Sequence, residues 1–323
     1  MRESYAVCGT RRRLSLPGDC RVLGAVTRGA SPPIVVTATV NVNGRITGER
    51  DAVISVFDHG FLYGEGIYET MRTYGQVPFL FDRHLRRLHQ SASMVGLALP
   101  FSGHELAAHI RDTMAAAELG SSEAYIRVLV TRGIGELTYD PRATPAPSFV
   151  IIVKRHVDPP PELYTDGARV VIVDVVRNHP ASVNPMIKSN NLMNSALAMQ
   201  EALRRGAFEG VMRNYRGELT ECTTSNLFIV RSGAALTPPL SAGLLPGITR
   251  EFLFDIAPPV GVEIREATLR DEDLYAADEA FLTGTTRELI PITTVDERTI
   301  GDGRPGPVTQ TLLEAFRRAA QRM

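Results

Sequence analysis

Lysine is nearly absent from this chain. Of its 35 basic residues only Lys154 and Lys188 are lysines, and the other 33 are arginines. Cysteine is almost as scarce: Cys8, Cys20 and Cys222 are too few and too scattered for a disulfide framework or a zinc site, so a reducing cytoplasm is the expected setting. The seven histidines show no metal-ligand spacing, and no metal is expected. No uninterrupted apolar run reaches the roughly 18 residues that a membrane-spanning helix needs. A dominant charge is also missing. Lys+Arg of 35 against Asp+Glu of 36 leaves a net charge of -1, which argues against a nucleic-acid binder and a polybasic membrane-surface protein.

What is present is ordinary globular composition, with 44% hydrophobic and 22% charged residues in 323. That length suits one large or two modest domains. Codon bias explains most of the arginine excess, but not which lysines persist. A primary amine can form a Schiff base with an aldehyde and a guanidinium cannot. Imine chemistry from a side chain is therefore confined to two positions.

Residues 1–36, with Arg11-Arg12-Arg13 and Ser31-Pro32-Pro33, show no helical or strand period and read as a disordered extension. From about Thr37 the pattern becomes regular. Val40–Val42 and Arg45–Thr47 flank Asn43-Gly44, a hairpin signature. Helices are expected over Phe81–Val95 and Ser102–Leu119, and strands over Tyr125–Thr131 and Phe149–Lys154. Asp158-Pro159-Pro160-Pro161 breaks both kinds of element and marks a linker over 158–163, between a smaller domain (37–157) and a larger one (164–323). The second half opens with Ala168–Val176, a β-branched run of the kind found in strands buried on both faces. There follow a helix over Leu192–Arg205, strands at Gly210–Tyr215, Leu219–Cys222 and Asn226–Arg231, a helix over Gly247–Ile256, a short strand at Ala280–Thr283 and a closing helix over Pro307–Ala320. The whole reads as α+β in two lobes.

Lys188 lies in Asn184-Pro185-Met186-Ile187-Lys188-Ser189-Asn190-Asn191, where a partly buried amine would be nucleophilic at neutral pH; an average lysine is simply exposed. Lys154, beside Arg155 and His156, reads as an ordinary strand boundary. Two Gly-Thr turns could bind phosphate: Leu245-Pro246-Gly247-Ile248-Thr249-Arg250, which opens a helix, and Thr283-Gly284-Thr285-Thr286-Arg287, which follows a strand. Neither matches a nucleotide-binding pattern. Glu221 by itself reads as an exposed strand residue; facing a protonated ring nitrogen, it would hold that nitrogen cationic. Tyr125 and Arg127 share a strand face, and the forked guanidinium matches a carboxylate.

Together these segments resemble the class IV pyridoxal-phosphate aminotransferases. The resemblance runs from about Thr39 to Phe316. It is carried by Val56-Phe57-Asp58-His59-Gly60-Phe61-Leu62-Tyr63-Gly64, Tyr68-Glu69-Thr70-Met71-Arg72, His84-Leu85-Arg86-Arg87-Leu88, Ile187-Lys188-Ser189, Thr220-Glu221 with Ser225-Asn226-Leu227-Phe228, and both Gly-Thr turns. It implies a two-domain α+β protein of fold-type IV that uses pyridoxal 5'-phosphate. It implies that Lys188 forms the Schiff base and shuttles the proton, and that Glu221 pairs with the pyridine nitrogen. Arg87 and the Leu245, Ile248, Thr249 and Thr285 segments would hold the cofactor. Tyr63, Tyr68, Arg72, Tyr125, Arg127 and Thr286 would line the substrate side. The implied partners are an amino acid and a 2-oxo acid, and the implied working unit is a homodimer or higher homo-oligomer.

Within the family the Arg132–Leu137 and Ile300–Pro307 stretches are similar to branched-chain aminotransferases. Tyr68-Glu69-Thr70, and Leu192-Met193 where those enzymes carry a tyrosine, are more similar to D-amino-acid transaminases. The expectation is transfer between a branched aliphatic L-amino acid and 2-oxoglutarate. D-amino-acid transamination, an aminodeoxychorismate-lyase-type reaction and a non-catalytic phosphate-binding protein are the alternatives.

Overall fold

The computed structural model describes residues 37–322, so the reading of residues 1–36 as an extension lies outside the described residues. Two sheets organise the chain. The first is six-stranded and antiparallel, built from β1 (Thr39–Val42), β2 (Arg45–Gly48), β3 (Gly66–Tyr74), β4 (Val77–Pro78), β5 (Ala124–Thr131) and β6 (Ser148–Arg155) in the order β2-β1-β6-β5-β3-β4. The β1–β2 turn has positive φ at both Asn43 (51°) and Gly44 (91°), the conformation that an Asn-Gly pair tolerates and most residues do not. Helices α1 (His59–Tyr63), α2 (Phe81–Met94) and α3 (Gly103–Ala116) belong to this half. α3 starts one residue later than its sequence pattern because Ser102 is its cap, joined to Glu105 in a capping box. One core lies between sheet and helices: Ile67 and Met71 of β3, Ile126, Val128 and Val130 of β5 and Ile151 and Val153 of β6 meet Leu88, Leu106 and Ile110. Each of these side chains contributes roughly 1.5–3 kcal/mol by leaving water.

The second sheet has nine strands: β7 (Ala168–Ile172), β8 (Glu209–Arg213), β9 (Leu219–Cys222), β10 (Asn226–Arg231), β11 (Ala234–Thr237), β12 (Ile264–Glu266), β13 (Glu279–Gly284), β14 (Glu288–Val295) and β15 (Arg298–Thr299). Its order is β12-β11-β10-β13-β14-β7-β8-β9, with β15 on β14. A further pairing of β9 with β10, at Glu221 and Asn226, joins the sheet back on itself. β7 runs parallel to both β8 and β14 and is almost wholly buried, as its β-branched run requires. It ends at Ile172, four residues before the apolar run does. Alternate residues of β10 serve two cores. Leu227 and Ile229 join Val170, Val211 and Leu282, whereas Phe228 and Val230 join α6 (Ile248–Ile256) and α8 (Pro307–Ala320) through Leu253 and Phe316. Phe228 stacks on Phe281 at 4.8 Å. Helix α5 (Met193–Arg204) covers β7 and β8 through Ala198 and Ala202, and the short α4 (Glu162–Thr165) and α7 (Asp271–Tyr275) complete the chain. Among the described residues, no helix is long and apolar enough to cross a membrane.

Candidate active site

The segment before α5 is held by the first sheet although it belongs in sequence to the second. Ser189 bridges Ile67, the Tyr68 N–H donates to the Lys188 carbonyl (2.9 Å), and the Asn190 N–H donates to the Gly66 carbonyl (3.0 Å). The Lys188 N–H donates to Ser91 Oγ on α2 (3.1 Å). These bonds fix the lysine's backbone, and its Nζ stands 4.5 Å from the centre of the Tyr68 ring. Lys188 is only partly exposed, whereas Lys154 is exposed on β6 with its Nζ over Tyr125. The two amines thus occupy different environments, and of the two it is Lys188 that faces a cavity.

That cavity has a volume of about 380 Å³, within the range of small-molecule sites. Its wall includes Lys188, Tyr68, Arg127, Arg87, Glu221, Leu245, Ile248, Thr249 and Thr285. Arg127 lies over the Tyr68 ring at 4.1 Å. The remaining expected residues are elsewhere. Tyr63 packs edge-on to His59 and against Tyr139, Tyr125 lies farther along the same face of β5 as Arg127, and Thr286 is one residue past the wall. Arg72 departs most. Its guanidinium lies over Tyr74, donates to Asp158 Oδ1 (3.0 Å) and approaches Glu288, lining a separate cavity with Tyr164 and Arg317. Arg72 stands four residues along β3 from Tyr68, a displacement of about 13 Å that carries it past the end of the site.

Glu221 is buried, which corrects its reading as an exposed strand residue. Its Oε1 accepts from Arg177 Nε (2.8 Å), and its Oε2 accepts from the Leu245 N–H (3.1 Å) and Asn226 Nδ2 (3.3 Å). Burial pushes its carboxyl pKa up, against the lowering effects of Arg177, the Leu245 N–H and Lys188.

At another part of the wall Arg87 is held by a second buried carboxylate. Its Nε and one terminal nitrogen donate to the two oxygens of Glu69 (2.7 and 2.8 Å), and its other terminal nitrogen donates to the Pro246 carbonyl (2.8 Å). His84 Nδ1 shares Glu69 Oε2 at 2.7 Å. Beside Pro246, α6 begins without a side-chain cap. Gly247 is required there, because a Cβ would collide with Asn226 Oδ1. Thr283 Oγ1, also on the wall, is buried with no hydrogen-bond partner. An uncapped helix start, an arginine and an orphaned hydroxyl form a ready acceptor for an anion. With Lys188 and Glu221 on the same cavity, the donor set fits a phosphorylated pyridine aldehyde.

Several residues of the site escaped the sequence reading. Arg177 follows a loop with no motif around it, and nothing in its neighbours marks it. Asn226 was visible within a matching stretch, and a polar residue opening a core strand is the signal it gave. Glu209 on β8 is fully buried and accepts from Thr223 Oγ1 (2.9 Å), Thr224 Oγ1 (2.7 Å), Ser225 Oγ (2.6 Å) and Arg287 (3.0 Å). It ties the loop after β9 to the turn that carries Thr285.

The model of the amino-transferase class IV family matches residues 66–295. A putative branched-chain-amino-acid aminotransferase of Methanocaldococcus jannaschii is 38% identical over 278 residues, covering 86% of this chain and 95% of the relative. A D-alanine aminotransferase of Listeria monocytogenes is 32% identical, covering 86% of this chain and 94% of the relative. Among solved structures, the branched-chain amino acid aminotransferase of Thermobaculum terrenum in its PLP form superposes with a TM-score of 0.79 at 26% identity, covering 88% of this chain and 94% of that one. Such matches bear out the expected α+β architecture of fold-type IV. This chain belongs to the class IV aminotransferases, and it is a pyridoxal-phosphate-dependent transferase.

Proposed function

We propose that this aminotransferase moves an amino group between a branched aliphatic L-amino acid and 2-oxoglutarate, with pyridoxal 5'-phosphate in the cavity at Lys188. The observation that carries this reading is the convergence of Lys188 Nζ, buried Glu221 and the Arg87–α6 anion cradle on one cavity. Bound there, the cofactor would supply an aldehyde that takes up the amino group and a ring that withdraws electrons from the substrate's α-carbon. The residues divide the remaining work. Lys188 would hold the aldehyde, and its Nζ would carry the α-proton. Glu221 holds the ring nitrogen's proton. Arg87, the N–H groups of Ile248 and Thr249, and Thr285 would hold the phosphate, and Leu245 would complete the cofactor's wall of the cavity. Tyr68 and Arg127 face the substrate, Arg127 as the carboxylate partner; Tyr63, Tyr125 and Thr286 form an outer ring around them.

The M. jannaschii relative, at 38% identity, supports the branched-chain assignment. D-amino-acid transamination is the second reading. It is favoured by Leu192-Met193, by Tyr68-Glu69-Thr70 and by the Listeria relative at 32% identity. We further infer a cytoplasmic homodimer. Val53, Val56, Phe57 and Phe61 are exposed beside Ile134, Leu137 and Tyr139, the two loops being joined by an Asp58–Ile134 bridge. An apolar patch of that kind suits a second copy of the chain. The deciding experiment is a substrate panel with 2-oxoglutarate as acceptor. L-leucine should be transaminated and D-alanine should not; activity on the D-isomer alone overturns the assignment.

A further inference from the structure

The cavity holds a charged residue that the proposed division of work leaves idle. Arg177 lines the wall, and its Nε donates to Glu221 Oε1 at 2.8 Å. One of its terminal nitrogens donates to Asn194 Oδ1 (3.1 Å) in the first turn of α5, the helix that begins just after the lysine segment. Asn194 in turn donates to the Val176 carbonyl (2.8 Å) and accepts from the Asn178 N–H (3.3 Å), so the arginine's own loop is clamped on both sides. The Arg177 backbone is fixed as well, its N–H donating to the Arg213 carbonyl (2.8 Å) on β8. This is a rigid guanidinium, aimed at one oxygen of one buried carboxylate.

Glu221 needs such a neighbour. Its other partners are neutral: the Leu245 N–H and the Asn226 amide. Neutral donors offset part of the cost of burying a negative charge, but burial still favours the protonated acid. A protonated Glu221 could not accept the proton of a pyridine nitrogen. The other charged or titratable groups around it are Lys188, Cys222 and Glu209. Lys188 acts on Glu221 through its charge alone and makes no hydrogen bond to it, Cys222 is a buried thiol held neutral, and Glu209 is itself paired with Arg287. Arg177 therefore supplies the permanent positive charge at hydrogen-bond distance from Glu221.

We propose that Arg177 is a positioning residue that keeps Glu221 ionised and oriented, so that the cavity accepts a protonated pyridine ring across the neutral pH range. The proposal rests on the aminotransferase reading and deepens it. It requires that Arg177 act through Glu221 and through nothing else.

The test is the affinity of purified apoprotein for pyridoxal 5'-phosphate, followed by protein fluorescence and by the visible absorption of the complex from pH 6 to 9. Wild-type protein should bind with little dependence on pH. The variant R177Q should bind ~10- to 100-fold more weakly at pH 6–7, the effect of removing one charge-assisted hydrogen bond. Its affinity should recover toward the wild-type value as rising pH ionises Glu221. R177K, which keeps the charge and loses the fork, should show a smaller loss and a flatter pH profile. In an E221Q background the R177Q substitution should add almost nothing. A loss in R177Q that is the same at every pH, or that persists in E221Q, would mean a merely structural arginine and would overturn the proposal. Unchanged binding in R177Q overturns it as well. Failure of the wild-type protein to bind the cofactor at all would instead remove the aminotransferase reading on which the proposal stands.

Discussion

The two sheets each bring a buried glutamate to the site, and the two are held in opposite ways. Glu69 of β3 faces a bidentate arginine and a histidine, with Arg87 and His84 both within hydrogen-bond distance. The Arg87 charge and the hydrogen bonds from both groups overcome the desolvation cost and hold its carboxyl far below the usual carboxylate range. Glu221 of β9 faces one guanidinium nitrogen and two neutral donors, and burial pushes its carboxyl up instead. Glu69 is satisfied by the protein alone and serves to aim Arg87. Glu221 retains acceptor capacity and is incompletely compensated, which suits a group awaiting a cationic ligand. Equal burial thus gives a fully paired carboxylate in one sheet and an incompletely compensated one in the other, according to what surrounds it.

Substituting each glutamate separates these roles, and the largest stability effect belongs to Glu69. Glu69→Ala leaves Arg87 and His84 buried without their partner and should destabilise the fold by about 3–5 kcal/mol in urea denaturation. A loss under about 1 kcal/mol would place Glu69 on a par with an exposed residue. Glu221→Gln should cost far less stability, yet lower kcat by about 100- to 1,000-fold, as removal of one preorganised electrostatic contact does elsewhere. If instead Glu221→Gln unfolds the protein while its remaining activity per folded molecule is normal, the contrast fails.

The first sheet also dictates an acid response. The folded-state pKa of Glu69 is depressed, so its stabilisation is present above its unfolded value near 4.5 and is lost as pH falls below it. His84 is buried and its pKa is lowered from 6.5, so the fold binds it neutral and loses stability as pH drops below that value. Both groups act in the same direction. The urea midpoint should decline as pH falls below about 6.5, then more steeply below 4.5. In Glu69→Ala the steeper acid limb should be reduced. A midpoint that rises on acidification contradicts this assignment.

The smallest expected effects compare two arginines near neighbouring positions of β3 and β5. Arg127→Ala should raise KM for 2-oxoglutarate by roughly 30-fold, a charged-contact loss of about 2 kcal/mol. Arg72→Ala should leave that KM within about twofold and lower stability instead, because the Arg72 guanidinium is committed to Asp158 and Glu288. Reversal of the two results would return Arg72 to the substrate side.

Much of this was legible in the residues. The Asn-Gly hairpin, both long helices of the first half and the buried β7 run follow from turn chemistry and period. Lys188 was singled out by the scarcity of lysine. β3 was not legible as a strand, although it is the central scaffold of the site. Its core-facing positions run Ile67, Glu69, Met71, Thr73, and the buried charge of Glu69 hides the period-2 pattern until Arg87, 18 residues away in sequence, is known to meet it. β14 was hidden by Pro291, which argues against a central strand. The proline sits just before the ladder to β7 begins at Ile292. Arg177 was invisible for a related reason: its meaning lies entirely in a partner 44 residues downstream.

The central claim is that one amine, at position 188, condenses with the cofactor's aldehyde. Protein incubated with pyridoxal 5'-phosphate, reduced with borohydride, digested and analysed by mass spectrometry tests it directly. The added phosphopyridoxyl mass should lie on the peptide containing Lys188. Modification at Lys154 instead, or no modification at either lysine, would contradict the account.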